Sequence, residues 1–186
     1  MLYRGEKMNV YKKNRALTIS VLVFYVIILL WITILKCNQG TPIYEFRMTI
    51  GRMTVAERFA FATSRLTLTD GGLAEMLLNA FIFIPFGVLI PLLKGRAAPI
   101  FTTALALLST LLIECLQLFL CFGLFTYSDL ILNTAGAVLG IIIYSKFVKR
   151  MKEEHINTAL KILNGFGAAI SVFAIINTVL NIEIYM

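Results

Sequence analysis

The chain is predicted to be an all-α, polytopic membrane bundle of about five transmembrane helices. Three observations lead there. The composition is 59% hydrophobic with a mean hydropathy of +0.86, against roughly 45–50% apolar residues in a soluble domain. Five apolar runs are each close to the length that crosses a ~30 Å hydrocarbon core at 1.5 Å per residue. Most of the basic residues fall between those runs rather than inside them. A formal charge of +7 therefore reads as loop charge that sets orientation. No soluble domain is left to carry a nucleic-acid groove.

Residues 1–15 form a basic tail with Arg4, Lys7, Lys12, Lys13 and Arg15. Ala16 to Leu35 is the first apolar run, with Trp31 and Lys36 at its far interface. It exceeds the roughly 7–15-residue core of a signal peptide and has no small-residue cleavage site beside Lys36, so a retained helix is expected. Residues 37–72 form the longest polar stretch. Within it Thr54 and Glu57 have the spacing of a capping box, and Val55, Phe59, Ala62 and Leu66 recur at helical intervals. A short amphipathic helix is expected, lying on the membrane surface or capping the bundle.

Leu73 to Leu93 is the second span. It contains Asn79, Pro85 and Gly87, with Pro91 near its end. Proline removes a helical N–H, so a bend near Phe83–Gly87 is expected, with a neighbouring helix serving the freed carbonyl. Glu75 and Asn79 share a face. After the basic turn Lys94-Gly95-Arg96, Pro99 to Phe122 is the third span, with Glu114 and Gln117 on one face. Asp129 to Tyr144 is the fourth. There Asn133, Gly136, Ala137 and Gly140 share a face, and Gly136 and Gly140 form a small-xxx-small pair that admits a close neighbour. Residues 147–163 read as a basic cytoplasmic loop and Asn164 to Ile184 as a fifth span of scaffold character, within a C-terminal segment of 164–186. Residues 16–146 are expected to form the membrane core, with an outer amphipathic loop at 37–72.

The positive-inside rule places the amino terminus in the cytoplasm and the carboxyl terminus outside. The tail, the Lys94–Arg96 turn and the Lys146–Lys161 stretch hold more of the 17 basic residues than the side carrying Lys36, Arg47, Arg52, Arg58 and Arg65. With that orientation Glu75, Asn79, Glu114, Gln117, Asp129 and Asn133 all fall in the outer half of the membrane. An ionisable residue at that depth marks a functional site by default. A buried hydrogen-bond network that fixes helix register is the competing explanation. Cys37, Cys115 and Cys121 include no CxxC pair and His155 is the single histidine, so neither a disulfide framework nor a histidine-rich metal site is expected. No metal or cofactor is implied.

Three segments carry a family resemblance: Asn79-Ala-Phe-Ile-Phe-Ile-Pro85-Phe-Gly87, Ile113-Glu114-Cys-Leu-Gln117 and Ser128-Asp129-Leu-Ile-Leu-Asn133-Thr134-Ala-Gly136. Their order and spacing over residues 20–145 resemble the VanZ-like membrane proteins. The resemblance implies a small bacterial envelope protein linked to low-level teicoplanin resistance. It carries Asn79, Pro85, Glu114, Gln117, Asp129 and Asn133 over as the positions of interest. The family commonly has an arginine and further acidic residues before the aspartate. Here that turn, Phe122-Gly-Leu-Phe-Thr-Tyr-Ser128, has neither.

Three functions compete at the sequence level. In the first, a non-catalytic protein binds a membrane lipid or lipid-linked envelope precursor in a polar outer-leaflet pocket made by Asn79, Glu114, Gln117, Asp129 and Asn133. In the second, an intramembrane enzyme acts on such a precursor with Glu114 and Asp129 as acid and base. No nucleophile–base pair, metal cluster or phosphate loop accompanies that pair. In the third, the chain is a small transporter or channel subunit, although it lacks the internal repeat many transporters show.

Overall fold

The computed structural model describes residues 14–35, 51–64, 72–120 and 126–184. Residues 1–13 of the expected basic tail, 36–50 and 65–71 in and beside the polar stretch, with Leu66, and 121–125, which include Phe122 to Phe125 of the divergent turn, lie outside the described residues, as do the side chains of Ala62 and Glu75.

The described elements are α1 (Arg15–Leu35), α2 (Val55–Ser64), α3 (Gly72–Lys94), α4 (Pro99–Leu120), α5 (Tyr127–Lys146), the 3-10 turn η1 (Val148–Arg150) and α6 (Glu153–Ile184). No strand occurs among the described residues. Five of the helices, α1, α3, α4, α5 and α6, are long and apolar enough to cross a membrane. Large apolar side chains such as Phe81, Ile100, Leu108, Leu112, Phe119 and Phe166 are exposed on their outer faces. A water-soluble fold does not leave that much apolar surface open; in a bilayer these faces meet lipid.

The closest pairing is α3 against α5, and the sequence explains it. A methyl group at Gly87 would strike the Ala137 carbonyl, one at Gly136 the Ala80 carbonyl, and one at Gly140 the Ile84 carbonyl. The small-xxx-small face of α5 therefore lies on the backbone of α3, and Gly87 completes it from the other side. Phe83, Phe86, Ile90, Ala106, Ile113 and Ala137 fill the core beside this seam.

Helix α3 continues through Pro85 and Pro91. Pro85 has no N–H for the Phe81 carbonyl. One residue further along, the Ile82 carbonyl receives the Tyr25 hydroxyl of α1 at 2.9 Å. The Tyr25 bond thus reaches the carbonyl next to the freed one, not the Phe81 carbonyl itself for which support from a neighbouring helix was expected. Tyr25→Phe removes a single half-buried hydrogen bond and is expected to cost about 1 kcal/mol, read as a small drop in the thermal midpoint of the purified protein.

Helix α6 is longer than the expected 164–184 span. It begins at Glu153, so much of the stretch expected as a loop, 147–163, is helical, preceded by η1. At 1.5 Å per residue its 32 residues span about 48 Å, more than the hydrocarbon core. It packs on α1: Ser20 Oγ donates to Asn164 Oδ1 at 2.6 Å, the Phe24 ring sits over Gly167, and Trp31 meets Phe173 edge-on with ring centroids 6.0 Å apart.

The capping box of α2 forms as expected. The Thr54 N–H donates to Glu57 Oε2 at 2.7 Å and the Glu57 N–H donates back to Thr54 Oγ1 at 3.2 Å. The backbone and then the hydroxyl of Thr54 hold the Glu57 carboxyl below its ordinary value. Its contribution is therefore present at neutral pH and fades as pH falls through that lowered value. Val55 and Phe59 are exposed, as a helix lying on the membrane surface would leave them, and among the described side chains of α2 Arg58 is the buried one.

Candidate functional site

Connectivity brings one end of four of the five spanning helices together: the C-terminal ends of α1 and α4 with the N-terminal ends of α3 and α5. The five polar residues singled out in the sequence sit on these ends. Asn79, Glu114, Gln117 and Asn133 are buried and Asp129 is half-buried. All five line one small cleft, together with Thr33 and the apolar side chains of Ile32, Leu78, Ile82 and Ile113. Its cavity volume is ≈ 20 Å³, room for about one water molecule.

Each polar side chain reaches across to a different helix. The Asn79 Nδ2 of α3 donates to Asp129 Oδ1 in the first turn of α5. Asp129 there also meets the positive end of the α5 dipole, which stabilises a carboxylate. Glu114 of α4 is only 2% exposed, and its Oε2 accepts the Thr126 N–H at 2.8 Å. Thr126 is the N-cap residue of α5, so the glutamate fixes where that helix starts. One turn along α4, Gln117 Nε2 donates to the Thr33 carbonyl of α1 at 3.1 Å. Asn133 Nδ2 donates to Thr110 Oγ1 at 2.7 Å, back from α5 to α4. The network ties α1, α3, α4 and α5 at one level.

Its chemistry is dominated by acceptors. Two carboxylates and three side-chain amides line the site, and among the described residues its lining includes no lysine, arginine or histidine. One acceptor is unmatched: Asn133 Oδ1 is buried without a hydrogen-bond partner. Among the described residues no group of three or more His, Cys, Asp or Glu side chains is placed to hold a metal ion.

Thr33, Thr110, Thr126 and Arg58 were not singled out in the sequence. The threonines lie in or beside apolar runs, where the hydroxyl usually bonds its own helix; nothing local marks Thr110 as a partner of Asn133. Arg58 packs beside this end of the bundle. Its Nε donates to the Met53 carbonyl at 3.1 Å and its Nη1 to the Leu118 carbonyl at 3.2 Å. Leu118 lies in the last turn of α4, where the carbonyls lack helical partners and carry the negative end of the dipole. A guanidinium satisfies both needs. Arg58→Ala is expected to cost about 2 kcal/mol, within the range for charged hydrogen bonds, and to speed proteolysis within residues 51–64. Unchanged cleavage would mean that this arginine does not hold α2 in place.

The VanZ/LLP1 family matches the chain over residues 22–149, a stretch that contains all five polar cleft residues and the glycine seam. The chain is also 25% identical over 151 residues to Protein VanZ of Enterococcus faecium, covering 79% of this chain and 85% of that protein. No solved structure matches.

Proposed function

The chain belongs to the VanZ/LLP1 family, and from that premise we propose that it is a bacterial envelope protein that lowers susceptibility to teicoplanin-type glycopeptides by binding a membrane lipid or lipid-linked precursor. The binding site is the polar cleft of Asn79, Glu114, Gln117, Asp129 and Asn133. The observation that carries this reading is their convergence, from α3, α4 and α5, on one cleft at one end of the bundle. An acyl chain on the drug or on the envelope lipid makes action at membrane depth physically reasonable.

The cleft faces outward, with the N-terminal end of α1 in the cytoplasm. Lys94, Arg96, Lys146, Lys149 and Arg150 support this orientation, because they gather at the opposite end, where α3 and α5 finish and α4 begins. The Lys94 ammonium there lies 3.0 Å from the centroid of the Phe101 ring, a cation–π contact.

The test is growth of a glycopeptide-susceptible Gram-positive host. Expression of the chain raises the inhibitory concentration of teicoplanin, and Asp129→Ala removes the gain. If host and expressing strain remain equally susceptible, the reading is lost. Glu114 and Asp129 line the same cleft, which keeps the acid–base alternative testable. A modified lipid precursor in extracts of expressing cells supports it, and identical lipid profiles reject it.

A further inference from the structure

We infer that the end of the bundle opposite the cleft is a docking surface for anionic phospholipid. The cations of residues 146–152, with Lys94 and Arg96, hold the phosphodiester headgroups, and Phe147 and Met151 enter the acyl layer beneath them. The inference does not depend on the cleft binding a ligand, nor on which side of the membrane this end faces. Three observations lead to it.

The first is the charge and where the fold puts it. Residues 146–152 read Lys-Phe-Val-Lys-Arg-Met-Lys, four cations in seven positions with no carboxylate. All four are exposed. Ala97 of the α3–α4 turn and Val148 of η1 pack against one core cluster, which includes Tyr144, Ile156 and Leu160. That shared packing brings Lys94 and Arg96 to the same end as the four. Glu153 and Glu154 follow in the first turn of α6, where they meet the positive end of its dipole. Counted against six cations, these two carboxylates still leave the surface positive.

The second is the apolar side chains set among those cations. Phe147 is 65% exposed and Met151 43%, while Val148 packs inward. The backbone here is served locally. The Phe147 N–H donates to the Ile143 carbonyl at 2.9 Å, the Arg150 N–H to the Phe147 carbonyl at 2.9 Å and the Met151 N–H to the Val148 carbonyl at 3.1 Å. A segment with its donors paired in this way can rest against hydrocarbon. Exposed apolar groups alternating with lysine and arginine are the pattern of an interfacial segment, in which long basic side chains carry their charge up to the headgroups.

The third is the level. The segment links α5 to α6, two helices long and apolar enough to span, so the boundary between hydrocarbon and water passes through it. A cation at that boundary is attracted by anionic lipid, and the fork of Arg96 or Arg150 matches a phosphate. A zwitterionic headgroup brings its own ammonium, and these cations gain least from it.

The experiment uses the full chain in bilayers of phosphatidylglycerol and phosphatidylcholine, with bromine on the acyl chains of one lipid at a time. Trp31→Phe removes the single tryptophan of the chain, and Phe147→Trp places one in the segment. Its fluorescence is expected to be quenched more by brominated phosphatidylglycerol than by brominated phosphatidylcholine at equal mole fraction. Leu108→Trp, on the exposed face of α4, is expected to be quenched equally by both. Lys146→Gln together with Arg150→Gln lowers the preference at position 147, by about fivefold for each cation removed, and added salt lowers it as well. Equal quenching by the two lipids at position 147 overturns the inference. So does a preference of the same size at positions 147 and 108, which would belong to the whole lipid belt, or one that the double variant leaves unchanged. Quenching by neither lipid puts the segment in water and overturns it too, leaving Phe147 and Met151 as contacts for a protein.

Discussion

A Gly136→Leu chain is expected not to assemble its bundle, and Gly136→Ala alone is expected to cost about 3 kcal/mol, the upper end for overpacking. The reason is what stands in the way. The added carbon meets the Ala80 carbonyl and its backbone neighbours rather than the end of a flexible side chain. Rotamer changes cannot relieve that contact, so α3 and α5 must separate. Separation also loosens Phe83 and Ala137, which are fully buried beside the seam. Gly165 on α6 is the internal control. Nothing lies within 4 Å of a methyl group there, so Gly165→Ala is expected to be neutral or stabilising by up to about 1 kcal/mol through helix propensity. Thermal unfolding of both alanine variants in detergent measures the difference. Equal midpoints would mean that α3 and α5 are not in backbone contact.

The second large effect is expected at Glu114, where two substitutions separate structure from function. Glu114→Ala leaves the Thr126 N–H without its acceptor and opens a void at a side chain that is 2% exposed. An unsatisfied buried donor costs about 1–3 kcal/mol and the void adds to it, so a loss of about 3 kcal/mol is expected. Glu114→Gln keeps an amide oxygen for Thr126 and nearly the same volume. It is expected to stay within about 1 kcal/mol of the parent chain. The glutamine variant therefore reports on the carboxylate itself, with the start of α5 preserved.

Much of this arrangement is legible in the sequence because it depends on local pattern. Apolar runs of spanning length gave the helices. Thr54 and Glu57 gave the cap of α2. Alternating chain direction alone brings Asn79, Glu114, Gln117, Asp129 and Asn133 to one end of the bundle. What stayed hidden depends on the register between helices. Gly87 opposes Gly140 only because α3 and α5 pack at one particular height, and no spacing within α3 reveals it. Thr33 and Thr110 become partners of Gln117 and Asn133 for the same reason. The start of α6 was missed because Glu153, Glu154, Lys161 and their neighbours are polar; hydropathy ends there although helix propensity continues. Arg58 looked like one more loop cation, and its burial follows from the free carbonyls at the end of α4, a feature of tertiary packing.

The five cleft residues are each bonded to another helix, so part of their role is to hold the bundle. The unmatched Asn133 carbonyl and the water-sized space beside it are what a purely structural network does not need. The account gives Glu114 and Asp129 both tasks, with the functional one resting on their charge. Its most direct test is the teicoplanin susceptibility of cells expressing the Glu114→Gln, Asp129→Asn double variant at the parent's level in the membrane. The account predicts a folded, membrane-inserted protein that gives no protection; protection equal to that of the parent chain would contradict it.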